Sequence, residues 1–317
     1  MATVVVSEWI DSAAEARLRA VHRVVGHPAL HADRAELFAA LADAGGWLVR
    51  NQTLVDRDAI EAAPHLRVVG RVGVGLDTID VAALRERGVV VSWAPGTNAV
   101  SVAEYVMGAM LAHARRFAAA SEHVHAGGWD RQAFMGRELH GRTLGIVGLG
   151  DIGARLARRA RAFGMRVLAS DPAVHDASAA VQEYDVELVD LDTLLAGSDV
   201  VSLHAPLVAA TRHLVGAEAL ERMRPTALLV NTARGGLVDE AALARALRAG
   251  TIGGAVLDVR ATEPPGRDDA LAGCPNLILT PHVAGVTIDS NTRASHHAVD
   301  EVLRVLRGER ARTEAPR

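Results

Sequence analysis

Cysteine is almost missing from this chain: Cys274 stands alone among 317 residues. An internal disulfide and any multi-cysteine metal site are excluded, and a reducing compartment is expected. No apolar stretch approaches the roughly 18 to 20 residues of a membrane span. Met1 leads straight into Thr3-Val4-Val5-Val6, with no basic segment and long apolar core of a leader. The expectation is a cytosolic protein. Basic charge is not in excess either, since 34 Lys and Arg face 38 Asp and Glu for a net charge of −4. Without a broad positive field to neutralise phosphates, nucleic acid is not expected as a partner and small molecules are. His296 and His297 are adjacent, and neighbouring helical residues face different directions, so they make a poor pair of ligands and no metal is expected.

Aromatic residues make up 3% of the chain and hydrophobic residues 50%, with Ala, Val, Leu and Gly dominant. Small apolar side chains suit helices packed closely on parallel strands, so the fold class is α/β, and the length suits two domains. Up to residue 95, short β-branched runs alternate with Ala/Leu/Arg segments of helical period. Strands are expected at Thr3–Ser7, Val21–Val25, Trp47–Arg50, Arg67–Arg71 and Val89–Trp93. Ala99 to Ala120 reads as one helix of about 20 residues. A second alternating block begins at Leu144 and runs through Val167–Ser170, Val200–Leu203, Ala227–Asn231, Ala255–Val259 and Leu277–Thr280. A last amphipathic helix, Ile288 to Leu306, is expected to return to the first lobe. The division is then a discontinuous first domain, 1–96 plus 286–317, and a second domain, 97–285.

The run Leu144 to Gly153 places Gly-x-Gly-x-x-Gly between an apolar strand and an Ala/Arg/Leu helix. Gly148 would allow the tight turn, Gly150 the approach of a pyrophosphate, and Gly153 close helix–strand packing, with the helix N-terminus facing the phosphates. Asp171 follows the next strand, 18 residues beyond Gly153. Its carboxylate would accept from ribose hydroxyls and repel a 2′-phosphate, which favours NAD over NADP. Arg155, Arg158, Arg159 and Arg161 on the following helix read as a solvated face.

Arg234, in Asn231-Thr232-Ala233-Arg234-Gly235-Gly236, lies just past a strand's C-terminal end, where open α/β sheets bind ligands. A guanidinium can hold a carboxylate in a fork and polarise a neighbouring carbonyl, the two needs of a 2-oxo acid. Glu263 sits in Ala261-Thr262-Glu263-Pro264-Pro265, soon after another strand, and His282 follows the strand Leu277–Thr280 through Pro281. Hydride transfer to a carbonyl needs a proton donor for the new hydroxyl, and a His beside a carboxylate is suited to that task. Arg234, Glu263 and His282 at the ends of successive strands, downstream of a nucleotide loop, therefore form the expected catalytic group.

Val72-Gly73-Val74-Gly75-Leu76-Asp77-Thr78-Ile79-Asp80, Gly141 through Gly153, Asn231–Gly235, Asp258 with Glu263-Pro264, and Thr280-Pro281-His282 form an ordered set over nearly the whole length. The chain thereby resembles the D-isomer-specific 2-hydroxyacid dehydrogenases, a family that includes phosphoglycerate dehydrogenases and hydroxypyruvate reductases. The resemblance implies two doubly wound parallel-sheet domains, a flavodoxin-like substrate domain and a Rossmann NAD-binding domain, closing over a cleft, and a homodimer built around Ala99–Ala120 and the loop after it. It implies NAD contacts from Gly148, Gly150, Asp151, Ile152, Gly153, Asp171, His204, Pro206, Thr211, Thr232, Ala233, Arg234, Asp258 and His282 to Gly285. The backbone amides of Val74 and Gly75 would bind the substrate carboxylate, with Arg234 and His282 also on the substrate. The chain ends 35 residues after His282, so serine feedback through the further regulatory domain of some phosphoglycerate dehydrogenases is not expected.

Arg50 and Arg71 stand at strand ends near the presumed carboxylate loop, where they would either recognise a second anionic group, such as a phosphate or sulfonate, or cap carbonyls or pair with surface acids. Ser7-Glu8-Trp9, Leu48–Thr53, Gly70–Ile79 and Ala94–Tyr105 look somewhat like sulfolactate dehydrogenases, and phosphoglycerate-type enzymes share much of this pattern. Both 3-phosphoglycerate and sulfolactate stay open as substrates. The rival from another class is an NAD(H)-sensing, corepressor-like binding protein of the same fold.

Overall fold

The structure, a computed structural model, describes residues 1–267 and 269–316. Two units are present, Met1–Asn98 together with the segment that starts at Val286, and Ala99–Gly285. In the first unit, β1 (Thr3–Val6), β2 (Arg23–Val25), β3 (Ala44–Val49), β4 (Val68–Arg71) and β5 (Val90–Ser92) form a parallel sheet in the order β2-β1-β3-β4-β5. That is the flavodoxin-like order. Alternation along each strand divides the core between two faces. Val5, Trp47, Val49 and Val69 pack with Leu37, Leu41 and Ile60, while Val4, Leu48 and Val68 pack with Leu18, Ala298 and Val302. The helix Ile288–Leu306 supplies Ala298 and Val302, and starts with a reciprocal cap between Thr287 and Ser290.

The second unit holds β6 (Thr143–Val147), β7 (Arg166–Ser170), β8 (Val186–Leu188), β9 (Val200–Leu203), β10 (Leu228–Asn231), β11 (Gly254–Leu257) and β12 (Leu277–Leu279). All are parallel, in the order β12-β11-β10-β9-β6-β7-β8. Counted from its own first strand, this is the Rossmann arrangement with one strand added at the edge. One face buries Val147, Leu168, Val201, Leu203, Leu229 and Leu257, and the other Leu144, Ile146, Val167, Val200, Val230 and Val256. Burial on both faces explains why the strands read as continuous apolar runs.

Several boundaries differ from the sequence expectation. The helix expected over Ala99–Ala120 is two helices, Ala99–Arg115 and Phe117–His125, broken at Arg116, whose φ of 51° is left-handed. Val102, Val106 and Met110 are buried, but the second helix buries no residue, so no apolar face continues through the break. The Arg116 guanidinium instead donates to Ala133 O at 3.0 Å and lies over the Phe134 ring. The strand expected from Trp47 starts at Ala44, through two glycines, and β2 starts two residues later than expected. The edge strand β8 was not expected, because three residues, Val-Glu-Leu, carry too little periodicity. Among the described residues, no helix is long and apolar enough to cross a membrane.

Candidate active site

The site in the second unit is built from loops that leave the C-terminal ends of adjacent strands. After β6 the chain turns through Gly148 at φ +94°, where a Cβ would lie 2.8 Å from Ala205 N and 2.9 Å from His204 C. A Cβ at Gly153 would lie 2.4 Å from Gly148 O, so the helix Asp151–Ala162 can start against the turn only without a side chain there. Around Gly150, by contrast, a Cβ would meet nothing within 4 Å. The first and third glycines are thus required by the protein, and the second borders open space at a helix N-terminus that has no side-chain cap. That is the cradle a pyrophosphate needs. Asp151 pairs with Arg155, and Ile152 lies beside it in the first turn.

Asp171, at the end of β7, accepts from Leu149 N at 2.8 Å and from Ala173 N at 2.9 Å. It therefore ties the glycine turn to the next strand while keeping the remaining lone pairs of both oxygens. After β9, Thr211 Oγ1 donates to Pro206 O at 2.6 Å and accepts from Val208 N, which shapes the loop. His204 Nε2 pairs with Ser202 Oγ at 2.9 Å. Its Nδ1 and Thr232 Oγ1, after neighbouring β10, are buried with no hydrogen-bond partner. Burial pushes the His204 imidazole down to about 4. Two orphaned polar atoms at adjacent strand ends, beside the glycine cradle, fit a polar cofactor that would satisfy them.

Asn231 fixes the Arg234 loop: its Nδ2 donates to Arg234 O at 2.9 Å and its Oδ1 accepts from Ala233 N at 3.1 Å. The Arg234 guanidinium donates to Ala233 O at 2.7 Å. His282 Nδ1 and Glu263 Oε2 are 2.7 Å apart, and both side chains are well exposed, 51% and 39%. His282 adopts a left-handed φ of 56°, with its backbone N–H donating to Asp258 O at 2.8 Å. The carboxylate of Asp258, only 1% exposed, accepts from Thr280 Oγ1 at 2.6 Å, Val283 N at 2.8 Å and Ala284 N at 2.8 Å. This clamp holds the turn that carries His282, and leads on to Gly285. Tyr105 extends it through Thr280 Oγ1 at 2.5 Å, and burial raises the phenol's pKa while that hydrogen bond opposes the rise.

In the first unit, Arg71 is buried and donates to Val72 O and Gly75 O, both at 2.7 Å, so it braces the loop that holds Val74 and Gly75. Arg50 donates to Trp9 O at 3.2 Å and Asn291 Oδ1 at 2.8 Å and lies over the Trp9 ring. Glu8, a buried carboxylate, accepts from Arg50 N, Gln52 N, Thr53 N and Thr53 Oγ1. Sequence reasoning missed Glu8 and Thr280 as organisers of these loops, since neither carries a signal until its partners are known.

The sequence matches the model of the D-isomer specific 2-hydroxyacid dehydrogenase NAD-binding domain over residues 107–284. It is 50% identical over 307 residues to (S)-sulfolactate dehydrogenase of Chromohalobacter salexigens, covering 96% of this chain and 99% of that one. The D-3-phosphoglycerate dehydrogenase of Archaeoglobus fulgidus is 42% identical over 87% of this chain, which spans about half (52%) of that longer protein. Among solved structures, the TT0316 protein of Thermus thermophilus superposes with a TM-score of 0.91 at 34% identity, over 99% of this chain and all of that one. The relatives are named as enzymes and lend no support to the nucleotide-sensing alternative. Nucleotide cradle, strand-end constellation and full-length likeness agree: the chain belongs to the D-isomer-specific 2-hydroxyacid dehydrogenases, NAD-dependent oxidoreductases that interconvert 2-hydroxy and 2-oxo acids.

Proposed function

We propose that this dehydrogenase acts on a 2-hydroxy acid with a second, distal anionic group, sulfolactate being the first choice, and that Arg234, Glu263 and His282 are its catalytic group. The observation that carries the catalytic assignment is the 2.7 Å contact between His282 Nδ1 and Glu263 Oε2. It commits Nδ1 to the carboxylate and leaves Nε2 as the atom that exchanges a proton with the substrate oxygen. In the reductive direction His282 gives that proton to the carbonyl oxygen, and in oxidation it takes it from the hydroxyl. Arg234 holds the 2-carboxylate and polarises the carbonyl. When bound, NAD supplies the hydride acceptor; the cradle at Gly148–Gly153, Asp171, and the unpartnered atoms of His204 and Thr232 would hold it.

Support for the second anion comes from Arg50, whose guanidinium is hydrogen-bonded to two neutral oxygens while nearby Glu8 accepts from three backbone N–H groups and the Thr53 hydroxyl. Arg71 caps the carbonyls of Val72 and Gly75, and substrate contact is assigned first to Arg50. The 50% identity to a sulfolactate dehydrogenase over both full lengths favours a sulfonate over a phosphate. A homodimer is part of the same reading, supported by the exposed apolar side chains Phe117, Val124, Trp129 and Met135 on one contiguous segment, the last two 81% and 80% exposed. So is a cytoplasmic location, to which the lone cysteine is suited.

The test is NAD-linked turnover on sulfolactate, 3-phosphoglycerate, glycerate and lactate, with the corresponding 2-oxo acids in reverse. Arg234→Ala is expected to lower kcat/KM about 1000-fold on every acid. Arg50→Ala is expected to cost about 100-fold on acids with a distal anion and under about 3-fold on the others. Equal loss across the panel would remove the second-anion reading, and absence of turnover on all of them would remove the substrate class.

A further inference from the structure

Arg260 lies three residues beyond the end of β11, between the clamp residue Asp258 and Glu263, and its side chain is only 8% exposed. Its Nε and Nη2 donate to the two carboxylate oxygens of Glu240, both at 3.0 Å. Its Nη1 and Nη2 donate to the two oxygens of Asp269 at 3.0 and 2.6 Å. A planar guanidinium is thus gripped by two forks at once, which a lysine cannot reproduce. Glu240 opens the helix Glu240–Ala249, anchored by Asp239 at its N-cap, and its Oε1 also accepts from Ala261 N at 2.8 Å. The backbone of Arg260 meets the reacting groups on two sides. Its N–H donates to Glu263 Oε1 at 2.9 Å, which leaves Oε2 for His282. Its carbonyl presses on Gly235, next to Arg234, where a Cβ would lie 1.9 Å from Arg260 C.

We propose that Arg260 is a positioning residue for the reaction: its doubly forked guanidinium fixes the backbone that aims Glu263 at His282 and seats the Arg234 loop. The inference rests on the assignment of Glu263 and His282 given above. Residues 259–263 lie beyond the last ladder bond, from Asp258 N to Asn231 O, so something else must hold them to the roughly 0.5 Å tolerance that proton transfer demands. The side-chain forks do so from the helix Glu240–Ala249 and from Asp269, and the Gly235 contact closes the third side. The arrangement also needs its cation, because two carboxylates share it, and without it they would face each other.

The test compares the full chain, Arg260→Lys, Glu263→Gln and the double variant, each checked for folding, in NADH-dependent reduction of the best 2-oxo acid. Arg260→Lys is expected to lower kcat about 10-fold with KM for NADH changed less than about 2-fold, and Glu263→Gln to lower kcat about 100-fold. The double variant is expected to be slower than Glu263→Gln alone by about 3-fold or less, because the share of positioning that acts through Glu263 is already lost and only the seating of the Arg234 loop remains. If Arg260→Lys does not fold, Glu240→Gln, which loosens one fork at constant size, is expected to lower kcat about 3-fold with the same non-additivity. Unchanged kcat in the folded variants, or a double variant slowed by the product of the two single losses, overturns the proposal. Unchanged kcat in Glu263→Gln overturns the catalytic assignment itself, whereas loss there with none in Arg260→Lys or Glu240→Gln overturns only the role of Arg260.

Discussion

Replacing Asp258 by Asn changes one oxygen into an NH2 and removes one charge, and the structure says what that should cost. Oδ1 receives Thr280 Oγ1 and Val283 N, and Oδ2 receives Ala284 N. An amide oriented to keep its oxygen on the first two sets its NH2 against the Ala284 N–H, donor against donor, in a site 1% exposed to solvent. One hydrogen bond to a charged group is lost with its donor left buried, about 2 to 3 kcal/mol, and the two survivors weaken to neutral strength, about 1 to 2 kcal/mol more. Asp258→Asn should therefore destabilise the second unit by about 3 to 5 kcal/mol. Urea unfolding followed by tryptophan fluorescence and circular dichroism measures this, and turnover at a temperature where the variant is still folded measures the second consequence. Since the same three bonds hold the turn at His282, kcat should fall as well. A loss of stability below about 1 kcal/mol would show that the clamp is not what holds the turn.

The glycine turn should separate by role: Gly153→Ala, with a Cβ 2.4 Å from Gly148 O, should lose stability, whereas Gly150→Ala should keep its Tm and bind NADH about 10-fold more weakly in a fluorescence titration. Equal Tm losses would contradict that division. His204 prefers its neutral form when folded, so its contribution is complete above pH 6.5 and is lost as pH falls toward about 4. At about 1.4 kcal/mol per pH unit the loss approaches 3 kcal/mol, and His204→Gln should flatten the stability profile in that window. A profile that falls as steeply in His204→Gln would assign the acid sensitivity elsewhere. Asp171→Ala, which frees Leu149 N, should raise the KM for NAD about 10-fold or more while leaving kcat within about 3-fold at saturating cofactor.

What the sequence made legible is what depends on local pattern. Apolar runs bounded by glycine and proline marked most strands, and Gly148, Gly150 and Gly153 revealed their context because a strand, a turn and a helix are consecutive in the chain. His282 and Glu263 could be paired in advance because β11 and β12 are both sequential and adjacent in the sheet. Arg260 could not be read in the same way, since its partners lie 20 and 9 residues away on a helix and a loop whose faces no periodicity fixes. The Arg116 break was hidden for a related reason. Phe117 to His125 is as apolar as a packed helix, and nothing in its pattern announces the left-handed turn at Arg116 or the absence of burial beyond it.

The His282–Glu263 pair proposed for catalysis and its supports divide by exposure. His282 and Glu263 are half exposed, as the proposed proton transfer at His282 requires, whereas Asp258 is buried and the Arg260–Glu240–Asp269 cluster is largely so. A hydrogen bond in that drier setting is stronger than one at the surface and costlier to leave unmade. Substitutions should sort accordingly. His282→Gln or Glu263→Gln should remove activity with little change in Tm, because water can replace either partner. Asp258→Asn or Arg260→Met should lower both, because each leaves buried donors or like charges facing one another. A change in the buried supports that spared Tm while removing activity would mean that those residues touch the reaction directly, and a change in the exposed pair that unfolded the protein would mean that the exposed contact is structural.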